Sequence, residues 1–377
     1  MKRREFLSRS LVGSAFALGL GKNIFAQEKT DFAQIAEERK THPIYFDGLS
    51  FLNQDRDVIR KSGLSGFVWD VSAVETVGEE FHRKMIPCLK SIARANKFLR
   101  ENDQGLFLAT KGSQVKEANR TGKTAVFLQF QSTRPITKDL EIMNVFYELG
   151  LRILQLAHHC NNPFAGGALV KEWTGLTDLG SKAVEKMNEL GIIPDLSHAS
   201  DKTAHDVLKT SKKPVIISHT GCRAIVRNAR CIPDSVIKSV ADSGGVIGIF
   251  SMSFWLTTDP VPTVDSYINQ LEHVIRVGGI DVVGISNDYS IAGNSKAAKL
   301  NNNNAEAVKM YYPWWKKYTD IVMGFEELPR HCVIPELNNV KRFFTIQTAL
   351  EKRGYIAAQI EKIMGGNWVR VLTECLG

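Results

Sequence analysis

The feature that most constrains this chain is an alternation. Short apolar or β-branched runs recur at residues 44–51, 66–73, 125–131, 152–158, 192–198, 214–219, 245–250 and 282–288, with longer helical patterns between them. Within 179–190, Leu179, Ala183, Val184, Met187 and Leu190 share one face, the period of an α-helix. Repeated strand–helix units imply parallel strands, and eight of them imply a closed (β/α)8 barrel, the TIM barrel of the α/β class. The alternative is a doubly wound open sheet, but neither GxGxxG nor GxxxxGK[ST] is present to mark a nucleotide site in it. No sequence repeat of solenoid length appears, and the 377 residues fit one barrel domain over 27–377.

Two stretches fall outside the alternation. Residues 300–318, LNNNNAEAVKMYYPWWKKY, read as part of a long excursion near 292–335 after the eighth strand. Residues 338–364 read as two C-terminal helices broken at Gly354, with Gly365-Gly366 stopping the second.

The N-terminus carries KRREFLSRS (2–10), then the apolar run LVGSAFALGL (11–20) and a small residue at Ala26. That is a signal-peptide pattern, and Arg3-Arg4 resembles a twin-arginine export signal. Cleavage after Ala26 would deliver the protein to the periplasm or otherwise outside the cytoplasm, with no stable membrane span left. The competing reading is an uncleaved N-terminal anchor. The formal charge of +8 drops to +4 without residues 1–26, too mild and scattered to argue for a nucleic-acid partner. The six cysteines form no CxxC pair, which excludes a zinc knuckle and favours free, mostly buried thiols.

Barrel enzymes carry their chemistry at the C-terminal ends of the strands. The fourth, fifth, sixth and eighth runs end at His158, His198, His219 and Asp288. Three of the nine histidines thus take strand-end positions. Two neutral imidazoles from adjacent strands can converge on one divalent cation, and an Asp across the mouth can ligate it or take a proton from water. The competing reading makes each a capped core residue. His42, His82, His159, His205, His273 and His331 read as structural or exposed, with His159 pointing away if its strand continues.

The segments YELGLRILQLAHHCN (147–161), GLTDLGSKAVEKMNELGIIPDLSH (175–198), PVIISHT (214–220) and GGNWVRVL (365–372) resemble the renal, or membrane, dipeptidase family of zinc peptidases. The resemblance runs from about residue 42 to 373. It implies a binuclear zinc barrel that hydrolyses dipeptides. It places metal-binding histidines at His198 and His219, a substrate-binding histidine at His158 and the strand-eight aspartate at Asp288. Arg230, in RCIPD, falls on the arginine that pairs with the substrate carboxylate, a task suited to a planar guanidinium.

The same comparison shows departures. The family's His-x-Asp pair on strand one falls on Leu49 and Phe51, and its metal-bridging glutamate on Gln131. Neither apolar residue can bind zinc, and the amide brings no charge. The first metal site should therefore not form. Three readings follow. One is a hydrolase with a single Zn2+ on His198 and His219, with Gln131 and Asp288 as further candidate ligands, Asp288 as base and His158 as oxyanion stabiliser. The second is a non-catalytic small-ligand-binding protein that keeps Arg230 and His158. The third is metal-free chemistry in the same pocket. The expected partner is a dipeptide or other small molecule, with a homodimer left open.

Overall fold

The computed structural model describes residues 32–52, 56–73, 75–77, 80–101 and 105–377, so the export signal expected at 1–26 lies outside the described residues. All eight expected strands are present. In chain order they are β1 (Tyr45–Ser50), β2 (Leu64–Asp70), β3 (Thr124–Phe130), β4 (Leu151–Gln155), β5 (Ile193–Asp195), β6 (Ile216–Thr220), β7 (Val246–Ile249) and β8 (Val283–Ile285). Each pairs in parallel with the next, in sequence order. The barrel closes just beyond the strand ends. The Phe51 N–H donates to the Tyr289 carbonyl (2.9 Å), and the Asp288 N–H donates to the Leu49 carbonyl (2.9 Å).

Local chemistry sets the helices between them. Thr177 caps the helix Asp178–Leu190 by accepting from the Gly180 N–H at 3.0 Å, and Gly191 ends it at φ 76°. Its buried face is Gly180, Ala183, Val184 and Met187, turned to the barrel. Ser200 caps Asp201–Thr210 in the same way through the Thr203 N–H at 3.1 Å. The β2–β3 connection is longer than one helix. It holds a hairpin (Glu75–Val77 with Glu80–His82), the helices Met85–Glu101 and Gln114–Thr121, and a side strand, Leu106–Leu108, paired with β3.

The barrel interior is filled at one level by Phe46, Val68, Phe127, Ile153, Ile193, Ile216 and Val246, one from each of β1 to β7. Trp368 completes the layer. A Cβ on Gly284 of β8 would lie 2.4 Å from its Nε1, and one on Gly48 of β1 2.3 Å from its ring, so two glycines clear its slot. Its indole N–H donates to the Ile285 carbonyl at 3.1 Å. Trp368 belongs to a final helix, Asn367–Leu376, so Gly365-Gly366 kinks the chain rather than stopping it. Arg370 on this helix donates to carbonyls of Gly244, Gly245 and Asp281, at the starts of β7 and β8. The helix therefore seals the N-terminal end of the barrel, opposite the mouth.

The excursion after β8 is ordered into helices Ser295–Lys299, Ala305–Lys309 and Tyr312–Tyr318. Two C-terminal helical segments, Arg342–Lys352 and Ala357–Glu361, flank Gly354. Five of the six cysteines are buried, and Cys160 is half-buried.

Candidate metal and substrate site

The strands are shorter than the apolar runs suggest, and this moves the functional residues onto loops. His158, His198 and Asp288 each lie three residues past the ends of β4, β5 and β8, while His219 sits within β6. His159, His198 and Asp288 take φ of 59°, 63° and 60°. Left-handed backbone at non-glycine residues costs roughly 1–3 kcal/mol each and concentrates at functional sites. Here the turns swing side chains inward over the mouth.

Four imidazoles gather there. His198 Nε2 lies 2.8 Å from His219 Nε2, and His198 Nδ1 lies 3.1 Å from His159 Nδ1. The His158 ring stacks on that of His198, with centroids 4.2 Å apart. His158, His159 and His198 each present a nitrogen within 4.8 Å of the others. His159 corrects the sequence reading. Its strand has already ended at Gln155, so alternation no longer governs it, and its buried ring joins the cluster instead of pointing away.

A carboxylate below the mouth sets the direction of one ring. Asp195, fully buried, accepts from the Ser197 N–H, Ser197 hydroxyl, Ser218 N–H, Gln129 amide and Ser218 hydroxyl at 2.6–3.0 Å. With its hydroxyl proton given to Asp195, Ser218 Oγ accepts from His219 Nδ1 at 2.7 Å. That fixes the proton on Nδ1 and leaves the Nε2 lone pair facing His198. Burial pushes all four imidazoles well below their usual range, and the nearby Arg230 guanidinium adds to the shift. Neutral rings at neutral pH are the form that binds a metal ion.

Asp288 Oδ2 lies 4.0 Å from His219 Nε2. Burial raises its carboxyl to about 7, with Asp70 and Asp47 adding and Arg230 opposing. Arg230 is itself buried, its Nη2 donating to the His219 carbonyl at 3.0 Å and its cation resting against the Phe250 and Trp255 rings. Its Nε has no hydrogen-bond partner among the described residues. A buried guanidinium with a spare donor is equipped to receive an anion.

The three positions where the family resemblance expects further metal ligands are visible too. Leu49 is completely buried with the apolar barrel interior, and Phe51 is at the rim, paired with Ser290 and 36% exposed. Gln131 lies one residue past β3, buried, its carbonyl accepting from the Gln155 amide at 2.9 Å. Asp70 is an acid the sequence reading passed over. It ends β2, which stops at residue 70 rather than 73, and reading the shorter strand's last residue would have found it. The excursion roofs this ensemble with aromatics. The Trp314 ring centroid is 5.5 Å from that of His159, and Trp314 in turn packs on Trp255, Tyr318 and Phe325.

The sequence profile of the membrane dipeptidases matches residues 39–305, which takes in all eight strands and every residue from His158 to Asp288. This chain belongs to the membrane dipeptidase family. Among curated proteins in this family's company, Dipeptidase tcpJ of Claviceps purpurea is 28% identical over 298 residues. That match covers 78% of this chain but only 61% of the fungal protein. An amidohydrolase from Pseudomonas aeruginosa has a similar structure, with TM-score 0.75, 26% identity, and 91% of this chain and 99% of that one covered. A metallo peptidase from Rhodobacter sphaeroides, solved with a phosphinate mimic of the dipeptide L-Ala-D-Ala, shares the barrel at TM-score 0.72 and 17% identity, covering 89% of this chain and 99% of that one. The membrane dipeptidase fold is thus that of the (β/α)8 barrel read from the alternation.

Proposed function

We propose that this member of the family is an exported hydrolase of a dipeptide or closely related small amide, working with one divalent metal ion. The observation that carries the reading is the 2.8 Å approach of His198 Nε2 to His219 Nε2 at the C-terminal mouth of the barrel. The donor set fits one ion. Both rings are held neutral, and His219 has its Nε2 lone pair directed by the Asp195–Ser218 chain. His198 and His219 would hold the ion, with Gln131 and Asp288 as adjoining candidates. An ion at the position the resemblance gives the first metal does not fit, because Leu49 and Phe51 offer no lone pair.

A zinc-type ion in such a site polarises a carbonyl and acidifies water. The chain's own residues supply the rest. Arg230 receives the substrate's carboxylate on its spare donor. Asp288, with a carboxyl near neutrality, takes the proton from the attacking water and is poised to return it to the leaving amine. Neutral His158 donates an N–H to the oxygen on which negative charge grows. The aromatic roof of Trp314 and Trp255 keeps bulk water out. The dipeptide mimic held by the Rhodobacter sphaeroides relative supports the substrate class.

The test is hydrolysis of alanyl dipeptides, L-Ala-L-Ala and L-Ala-D-Ala, by zinc-loaded protein. Activity should vanish with a chelator and return with metal. His198→Ala should remove both metal and activity, while Arg230→Ala should chiefly raise KM for carboxylate-bearing substrates, by about tenfold or more. Zinc-loaded protein that cleaves no dipeptide would overturn the reading.

A further inference from the structure

A second cationic site flanks the mouth on the side away from Arg230. A cavity of about 390 Å3 is lined by Arg83, Lys84, Arg134 and Lys138, with Pro163 and Phe164 forming an apolar wall. No carboxylate is among its lining residues. Among the described residues, no ion pair engages Arg83, Arg134 or Lys138.

Arg83 is the telling residue. It is only 4% exposed, yet its one hydrogen bond runs from Nε to the Ser72 hydroxyl at 2.9 Å. Its two terminal nitrogens, the fork that grips carboxylates and phosphates, have no partner among the described residues. Arg134 lines the same cavity, and its charge adds to the burial that lowers the Arg83 guanidinium. Asp70 supports the charge of Arg83 from outside the cavity without a direct ion pair, and no acid lines the space the two arginines share, so an anion there would join them. Through one terminal nitrogen, Nη2, Arg134 also donates to the Asn161 carbonyl at 3.1 Å, which ties the cavity to the loop that carries His158 and His159. The charge of Arg83 is felt at both histidines.

We propose that this cavity is an anion subsite that takes the side-chain carboxylate of an acidic N-terminal residue in the substrate. The inference rests on the dipeptidase reading. Arg230 follows β6 and the cavity follows β2 and β3, so the two cationic sites stand on opposite sides of the mouth, with the histidines between them. A dipeptide whose C-terminal carboxylate lies on Arg230 directs its N-terminal residue toward Arg83 and Arg134. The substrate class is therefore a dipeptide anionic at both ends.

Two measurements test this on the full chain. The first compares kcat/KM for Glu-Ala and Gln-Ala, in the wild type and in Arg134→Gln, which alters a half-buried residue and spares the buried Arg83. Glu-Ala should be preferred at least tenfold, and the preference should collapse toward parity in Arg134→Gln. Equal turnover of the two dipeptides by the wild type overturns the proposal. The second needs no activity and follows the melting temperature with inorganic phosphate against chloride at equal ionic strength. Phosphate should stabilise the wild type and Arg230→Gln alike but not Arg134→Gln combined with Lys138→Gln. If no dipeptide is cleaved, the dipeptidase reading has failed and the substrate assignment with it, while a phosphate shift lost in the double variant still establishes the anion site. A phosphate shift that is absent, or that survives in the double variant, overturns the anion site as well.

Discussion

Asp288 is the residue whose environment does most to set the chemistry. Its carboxyl is mostly shielded from solvent, with the side chain 11% exposed, lies 4.0 Å from His219 Nε2, and is pushed up to about 7. In the unfolded chain it ionises near 4, so between about pH 4 and 7 the unfolded chain loses its proton first. Stability contributed by the protonated form is present in full at low pH and is lost as pH rises through 7. In metal-free protein, Asp288→Asn should therefore be the more stable form at pH 8, by a few kcal/mol at most on the scale of roughly 1.4 kcal/mol per unit. The advantage should shrink toward zero near pH 4. Denaturant melts of the two proteins across that range check it, and a difference independent of pH would contradict the buried, raised carboxyl. The neutral histidines act in the opposite sense, losing stability as pH falls below their usual range, and cancel in this comparison. At this scale the gathering of His158, His198, His219 and Asp288 at one mouth was legible because each stands at or near a strand end, whereas Arg230, ten residues past β6, was singled out only by the family resemblance. His159 and Asp70 were not. Their placement depends on where a strand stops, by two or three residues, and hydrophobic pattern alone does not fix that.

Elements were easier to read than their ends. Eight apolar runs gave eight strands because a parallel barrel strand is buried on both faces and needs such a run. The side strand Leu106–Leu108 is too short to signal itself. The final helix escaped for another reason. A glycine pair ordinarily ends a helix, but here Gly365 is required by a close approach, since a Cβ there would meet the Ile44 carbonyl at 2.4 Å. The chain kinks past β1 and continues into Asn367–Leu376, whose Trp368 fills the barrel's lower layer. Trp368→Ala should cost about 3–5 kcal/mol, as large aromatic truncations in packed cores do. Gly284→Val, which forces a branched side chain into the same slot, should be at least as damaging. Chemical denaturation measures both. A Trp368→Ala cost under about 1 kcal/mol would mean the layer is not sealed by this ring.

For the whole molecule, the division of labour is between two barrel ends. The lower end is filled by apolar side chains around Trp368 and tied by Arg370, and the upper end concentrates imidazoles, arginines and buried acids under an aromatic roof. None of the helices among the described residues is long and apolar enough to cross a membrane. Export by the N-terminal signal predicts a mature chain that begins near Gln27, which mass spectrometry of the secreted protein reads directly. An intact Met1 on protein that stays in the cytoplasm would refute it. The central proposal is that this barrel holds one metal ion where the family resemblance implies two. Two zinc ions carry four positive charges, and Phe51 and Gln131, where the resemblance expects carboxylates, supply none. Metal content per chain, measured by elemental analysis after metal-free purification and reconstitution with excess zinc, decides it. The account predicts one zinc in the wild type and none in His198→Ala. Two zinc ions per chain, or one retained in His198→Ala, would contradict it.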